Sequence, residues 1–295
     1  MDENNRNLIL ATALSFIVIL VWFVLFPPPE PAPVDPNAPV TAEETTAPVA
    51  TAPATAPATA DTSEAPAASE TTQGEAARLP IDTGRVEGSV SLLGGRIDDL
   101  RLKDYRETQD PGADIVTALS PVGTQGAYYA LYGWAPGSGL TLDDVPGANT
   151  LWQVESGDAL SADSPVRLIW ENTKGQVFRR EIAIDDDYMF TVTQSVENQG
   201  TATAAMAPYG VLARHGEPED LKNFFILHEG VVGMADGELT ETDYGDMPDF
   251  SFDDREGARA EVVQVEANGW IGFTDHYWMT TLIPAAGSPF KSVAK

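Results

Sequence analysis

Cysteine is missing altogether from this chain of 295 residues, histidine occurs three times, and 17 basic residues face 45 acidic ones. Without cysteine there can be no thiolate nucleophile, no thiolate metal site and no disulfide. A folded region of about 215 residues buries enough apolar surface to stand without such staples, so the lack of disulfides is compatible with export. The formal charge of −28 repels phosphate, which argues against nucleic-acid binding and against adsorption to anionic lipid headgroups. Long apolar runs are equally scarce. One is present, from Leu8 to Phe26, and it contains no charged residue.

About 19 residues at 1.5 Å each cover roughly 28 Å, close to the hydrocarbon thickness of a bilayer. The run is therefore expected to form a transmembrane helix over 8–26, stopped by Pro27, Pro28 and Pro29. Arg6 precedes it and no Lys or Arg follows until Arg78. Basic residues beside a span are retained in the cytoplasm, so residues 1–7 are expected to be cytoplasmic and the remainder exported. A cleaved signal peptide would have a more basic start, a shorter apolar core and a small-x-small site after it; this chain has Phe26 and three prolines there.

Residues 27–77 are dominated by Pro, Ala, Thr and Glu, with the tandem Thr51-Ala52-Pro53-Ala54 and Thr55-Ala56-Pro57-Ala58. Few large apolar side chains are available to offset the entropy of ordering, and the prolines remove backbone donors, so a disordered linker is expected. As a random coil, fifty residues would reach about 40 Å.

From Arg78 to Lys295 the apolar period becomes two. Tyr188, Phe190, Val192 and Val196 alternate with Met189, Thr191, Thr193, Ser195 and Glu197, which predicts a strand with one buried face. Gln176 to Ile184 places Phe178, Ile182 and Ile184 on one face, and Asp185-Asp186-Asp187 fits the turn of a hairpin between the two. Val166 to Trp170 precedes it through Asn172-Thr173-Lys174-Gly175. Further strands are predicted at Val86–Leu93, Ile97–Leu102 after the Gly94-Gly95 turn, Ala127–Tyr132, Thr150–Val154, Ala202–Leu212, Val231–Met234, Ala260–Val265, Trp270–Phe273 and Tyr277–Ile283. Glu219 to His228 reads as a short helix or a loop. Many short strands separated by turn residues indicate a mainly β domain, an antiparallel sandwich or barrel.

Chemistry-bearing patterns are few. His215, His228 and His276 lie in no HExxH-like spacing and read as surface or strand-end residues. The pairs Asp98-Asp99, Asp143-Asp144 and Asp253-Asp254 and the run Asp185–Asp187 lack the calcium loop's spacing and distal Glu, and read as turn aspartates bonding local backbone. No GxSxG, phosphate-binding or dinucleotide motif occurs. No catalytic, cofactor-binding or metal-ligating residue is assigned, and no enzyme activity is expected. The densest apolar segment after the first run is Trp270-Ile271-Gly272-Phe273-Thr274-Asp275-His276-Tyr277-Trp278-Met279-Thr280-Thr281-Leu282-Ile283-Pro284. As core, it would send Trp270, Tyr277 and Leu282 inward; as an interface, it would present Tyr277 and Trp278.

That segment, together with Asn5-Arg6-Asn7-Leu8 running straight into an apolar span with Trp22 near its end, resembles the amino-terminal part of bacterial inner-membrane insertases of the YidC/Oxa/Alb family. The resemblance covers the anchor and nearly all of the chain after Arg78. It implies a periplasmic β-supersandwich, two large antiparallel sheets face to face, and a role in inserting and folding inner-membrane proteins alone or with the Sec translocon. Its partners would be the lipid bilayer, Sec components and nascent inner-membrane proteins. The family's arginine-bearing groove lies on further transmembrane helices, and no second span of about 18 apolar residues occurs before Lys295. No insertase site is therefore expected among these residues. Supersandwich scaffolds also host sugar chemistry, so a membrane-tethered carbohydrate-binding or carbohydrate-active protein is the alternative; it predicts histidine beside paired carboxylates in an aromatic-lined cleft.

Overall fold

The computed structural model describes residues 76–218, 221, 227–275 and 277–295. The expected span at 8–26, the linker as far as residue 75, most of Glu219 to His228, and His276 lie outside the described residues. Among the described residues no helix is long and apolar enough to cross a membrane.

Eighteen strands make up the described fold. A six-stranded antiparallel sheet contains β1 (Arg78–Asp82), β2 (Val86–Ser91), β3 (Arg96–Arg106), β4 (Ile115–Leu119), β5 (Tyr128–Pro136) and, at one end, β10 (Met206–Arg214). Its order is β1-β2-β3-β5-β10, with β4 also paired to β3. A four-stranded meander holds β6 (Gln153–Ser156), β7 (Val166–Glu171), β8 (Gln176–Ile184) and β9 (Phe190–Asn198) in sequence order. The carboxyl-terminal part forms a second four-stranded sheet, ordered β12 (Glu238–Asp243), β11 (Gly230–Ala235), β16 (Gly269–Asp275), β17 (Trp278–Leu282). Two ribbons complete it: β13 (Phe252–Asp253) with β14 (Ala258–Arg259), and β15 (Glu261–Val265) with β18 (Phe290–Ala294).

The main core joins the six-stranded sheet to the meander. Leu79, Ile81, Val86, Val90, Leu100 and Leu102 of the first belong to one buried cluster with Val166, Leu168, Phe178, Ile182 and Ile184 of the second. Phe178 is fully buried, with Trp134 edge-on at 6.0 Å and Trp170 tilted at 5.6 Å. This is a β-sandwich, as the alternation in β8 and β9 predicts. The turn between them is the expected aspartate run, where Asp185 Oδ1 accepts from the backbone N–H of Asp187 at 2.7 Å and of Met189 at 2.9 Å. The β7–β8 turn likewise uses Asn172, whose Oδ1 accepts from Lys174 and Gln176 N–H.

Several boundaries differ from the sequence reading. Tyr188 is in the turn, with φ +70°, and β9 begins at Phe190. The strand expected at Thr150–Val154 is displaced to Gln153–Ser156, because Leu151 is engaged in an isolated bridge to Leu93 and Trp152 donates its N–H to Leu92 O. Strand β10 starts at Met206, four residues later than Ala202, after a loop in which Asn198 Nδ2 holds Ala202 O at 2.8 Å. Strands β1, β4, β12, β13, β14 and β18 were not anticipated. Pro80 in β1 and Pro208 in β10 fall on strands at the two ends of the six-stranded sheet, where a missing donor is tolerated.

Candidate interaction surface

Charged residues inside the sandwich serve the fold. Arg180 of β8 is fully buried between Phe178 and Ile182 and reaches across the core. Its Nη1 donates to Gly94 O at 2.9 Å and Gly95 O at 3.0 Å, its Nη2 to Tyr132 O and to Gln194 Oε1, and Trp152 lies 4.5 Å from the guanidinium. Burial lowers its pKa to about 10. Gly95, at φ +60°, has to be glycine here, since a Cβ would lie 2.4 Å from Arg180 Nη1. Asp98 corrects the turn-aspartate reading. It lies in β3, fully buried and ion-paired with Arg78, and burial raises its pKa despite that partner. Asp99 accepts from Ser89 Oγ at 2.6 Å. Asp144 and Asp253 do bond local backbone: Asp144 takes the Lys174 ammonium and also the hydroxyl and N–H of Thr141, which together hold its carboxyl at about 2, and Asp253 takes the N–H of Arg255 and Glu256.

The densest polar cluster outside that core joins β10 to β16. Arg214 pairs with Asp275, Tyr244 OH donates to Asp275 Oδ1 at 2.7 Å, and the Arg214 guanidinium lies 4.1 Å from the Tyr128 ring. Tyr244 stacks on Phe273 at 5.8 Å. Desolvation pushes Tyr128 up to about 12, and desolvation with the neighbouring Asp275 pushes Tyr244 higher still. A carboxylate held by an arginine and a phenol, beside phenols that stay protonated, is arranged to lock strands together rather than to move a proton. His228 is half-buried, with Nδ1 2.7 Å from Thr274 Oγ1 and Nε2 3.7 Å from Asp243 Oδ1, and no other carboxylate is in ion-pair range of it among the described residues. His215 is exposed at the end of β10, edge-on to Tyr129. Among the described residues, no three His, Asp or Glu side chains gather as a metal site.

What remains as a candidate site is the β16–β17 hairpin and its sheet. Ladder pairs Ile271↔Leu282, Phe273↔Thr280 and Asp275↔Trp278 put Trp278, Thr280 and Leu282 on one side with Phe273. That side faces inward: Trp278 meets the Tyr105 ring edge-on at 4.9 Å and Phe273 meets Tyr128 at 6.0 Å. Tyr277 is therefore not core, as it lies in the turn at 78 % exposure, and Trp270 belongs to the opposite side with Met279. Of the expected inward trio only Leu282 points in, and Trp278 takes the place given to Tyr277. Alternation over an uninterrupted fifteen-residue segment conceals the turn that contains Tyr277, which reverses the direction of every later side chain.

The opposite side looks outward. In β12, Leu239, Glu241 and Asp243 are exposed while Thr240 and Thr242 are half-buried. The pairs Met234↔Leu239 and Met234↔Trp270 align three apolar residues across three strands. Neither this face nor the buried arginine was anticipated. Arg180 had a signal, since it shares its parity with Phe178 and Ile182.

Residues 78–295 match the family model described as the YidC periplasmic domain. Among curated proteins, the chain is 63% identical over 297 residues to the membrane protein insertase YidC of Dinoroseobacter shibae, covering 100% of this chain and 49% of that protein. It is 60% identical over 290 residues to the YidC of Roseobacter denitrificans, at 96% and 47% coverage. With the YidC of Ruegeria pomeroyi it shares 60% identity over 300 residues, at 100% and 49% coverage. The chain spans about half the length of the curated relatives it matches.

Proposed function

Because the chain belongs to the family of the YidC periplasmic domain, we propose that it is the anchored, periplasmic part of an inner-membrane protein insertase. Residues 8–26 span the membrane with residues 1–7 in the cytoplasm, residues 27–77 act as a tether, and residues 78–295 form the periplasmic domain. In this reading the separate ladders belong to one β-supersandwich, β10 of the six-stranded sheet lying beside β17 of the carboxyl-terminal sheet. The domain is not an enzyme. It supports insertion, folding and assembly of inner-membrane proteins by contact with Sec translocon components and nascent clients, and the insertion groove belongs to transmembrane helices outside these 295 residues.

The observation that carries the reading is the family match over 78–295 joined to whole-chain identity with proteins named insertases. Photo-crosslinking from exposed positions on each sheet, such as Val154, Thr193 and Leu239, tests it in inner membranes holding a ribosome-arrested inner-membrane protein. Capture of the nascent chain or of a translocon subunit supports it. A survey that captures neither counts against it.

A further inference from the structure

The outward face of the β12-β11-β16-β17 sheet combines apolar side chains with carboxylates, and none of the strand residues that line it is Lys or Arg. The ladder register sets out its three rows: Leu239, Met234 and Trp270; then Glu241, Val232, Gly272 and Thr281; then Asp243, Gly230, Thr274 and Met279. Leu239 and Met279, at opposite edges of the sheet, are each 51 % exposed, and Ile283 just beyond β17 is 58 % exposed. Both carboxylates sit on β12. His228 lies in ion-pair range of Asp243, with Nε2 at 3.7 Å. Val232 in the middle row is buried and Met234 and Trp270 are half-buried, so the exposed apolar surface lies toward the edges, bordered on one side by the carboxylates of Glu241 and Asp243, and has the character of a docking face rather than of a solvated one.

We propose that this face docks an amphipathic helical segment of a partner polypeptide, its apolar stripe lying on Met234, Trp270 and Met279 and its Lys or Arg flank meeting Glu241 and Asp243. The outer strands of a four-stranded sheet lie about 14 Å apart, which accommodates a helix about 10 Å wide. Charge complementarity selects this occupant. A second copy of the chain would bring carboxylates against carboxylates within a formal charge of −28 on each molecule, and an anionic bilayer surface is repelled in the same way. The inference rests on the proposed insertase role only for the partner's natural identity; the chemistry of the face stands separately.

The test uses the full 295-residue chain in phosphatidylcholine nanodiscs, with a fluorescent helical peptide of about 18 residues, some 27 Å long, whose leucine stripe is bordered by lysines, and a counterpart bordered by glutamates. The lysine peptide is expected to bind at least about tenfold more tightly, a difference of about 1.4 kcal/mol. Leu239→Ser with Met279→Ser should weaken it by about the same factor, and Glu241→Lys with Asp243→Lys should reverse the preference between the peptides. All four side chains are exposed, so these variants retain the fold, and Tyr277→Ser at the hairpin tip should leave binding unchanged. Equal binding of the two peptides, indifference to Leu239→Ser with Met279→Ser, or equal binding to empty nanodiscs would overturn the proposal. In membranes, clients crosslinking from Thr193 but never from Leu239 would remove this surface and leave the insertase reading intact. Peptide binding as expected with no client captured from any sheet would keep the surface and remove that reading.

Discussion

Arg180 ties the two sheets of the sandwich together, and Arg180→Met separates its charge from its volume. The substitution leaves three backbone carbonyls, those of Gly94, Gly95 and Tyr132, without their donor inside the core. A hydrogen bond to a charged donor contributes about 1.5–3 kcal/mol, so three amount to roughly 5–9 kcal/mol, and loss of the Trp152 contact adds about 1 kcal/mol. Against this, methionine removes the cost of burying a cation. A pKa brought down from 12.5 to about 10 corresponds to a cost on the order of 3 kcal/mol at neutral pH. The balance is a net destabilisation of about 3–7 kcal/mol. For a domain of this size that lowers Tm by about 6–28 °C. Urea unfolding followed by tryptophan fluorescence reads it directly. A variant within about 1 kcal/mol of the parent, or more stable, would refute the argument, because it would mean that the carbonyls find water or other donors at no cost.

Two further perturbations test the face assignments and the buried phenols. Trp278→Ala should cost about 2–4 kcal/mol through lost contact with Tyr105 and the core, whereas Tyr277→Ala, one residue away and exposed, should stay within about 0.5 kcal/mol; equal effects in denaturant unfolding would contradict the inward and outward sides given to this hairpin. For Tyr128 the folded state favours the protonated phenol, at about 12 against an ordinary 10. Its stabilisation is present below pH 10 and is lost as pH rises from 10 through about 12, so native phenolate absorbance should fall short of the eight tyrosines until the domain unfolds. Titration of all eight near pH 10 in the folded protein would contradict it.

The β8–β9 hairpin was legible because Phe178, Ile182, Ile184, Phe190 and Val192 keep a strict period of two around an aspartate turn, and local bonds to Asp185 and Asn172 make those turns wherever the chain goes. Strand β12 was not read, although Asp236-Gly237 carries a strong hairpin signal and both residues do adopt positive φ, +49° and +98°. Its side chains, Glu238, Leu239, Thr240, Glu241, Thr242 and Asp243, have no apolar alternation because one face is solvent and the other packs only half-buried threonines. Strands β4 and β18, five residues each, are stabilised by the partners they pair with, and no local period reveals a partner distant in sequence. Asp98 looked like a turn residue beside Asp99. Only its parity with Leu100 and Leu102, and a cation twenty positions earlier at Arg78, mark it as buried. The outward docking face was illegible for a related reason: Leu239, Met234 and Trp270 become neighbours only through ladder register.

The placement of this domain outside the cytosol underlies every contact assigned to it, and the lack of cysteine makes that placement directly measurable. Tyr277→Cys would carry the chain's single thiol on the most exposed large apolar position among the described residues. In intact spheroplasts a membrane-impermeant maleimide is predicted to label Tyr277→Cys fully without lysis, while Asn4→Cys is labelled only after lysis. Protection of Tyr277→Cys until the membrane is broken would contradict the account.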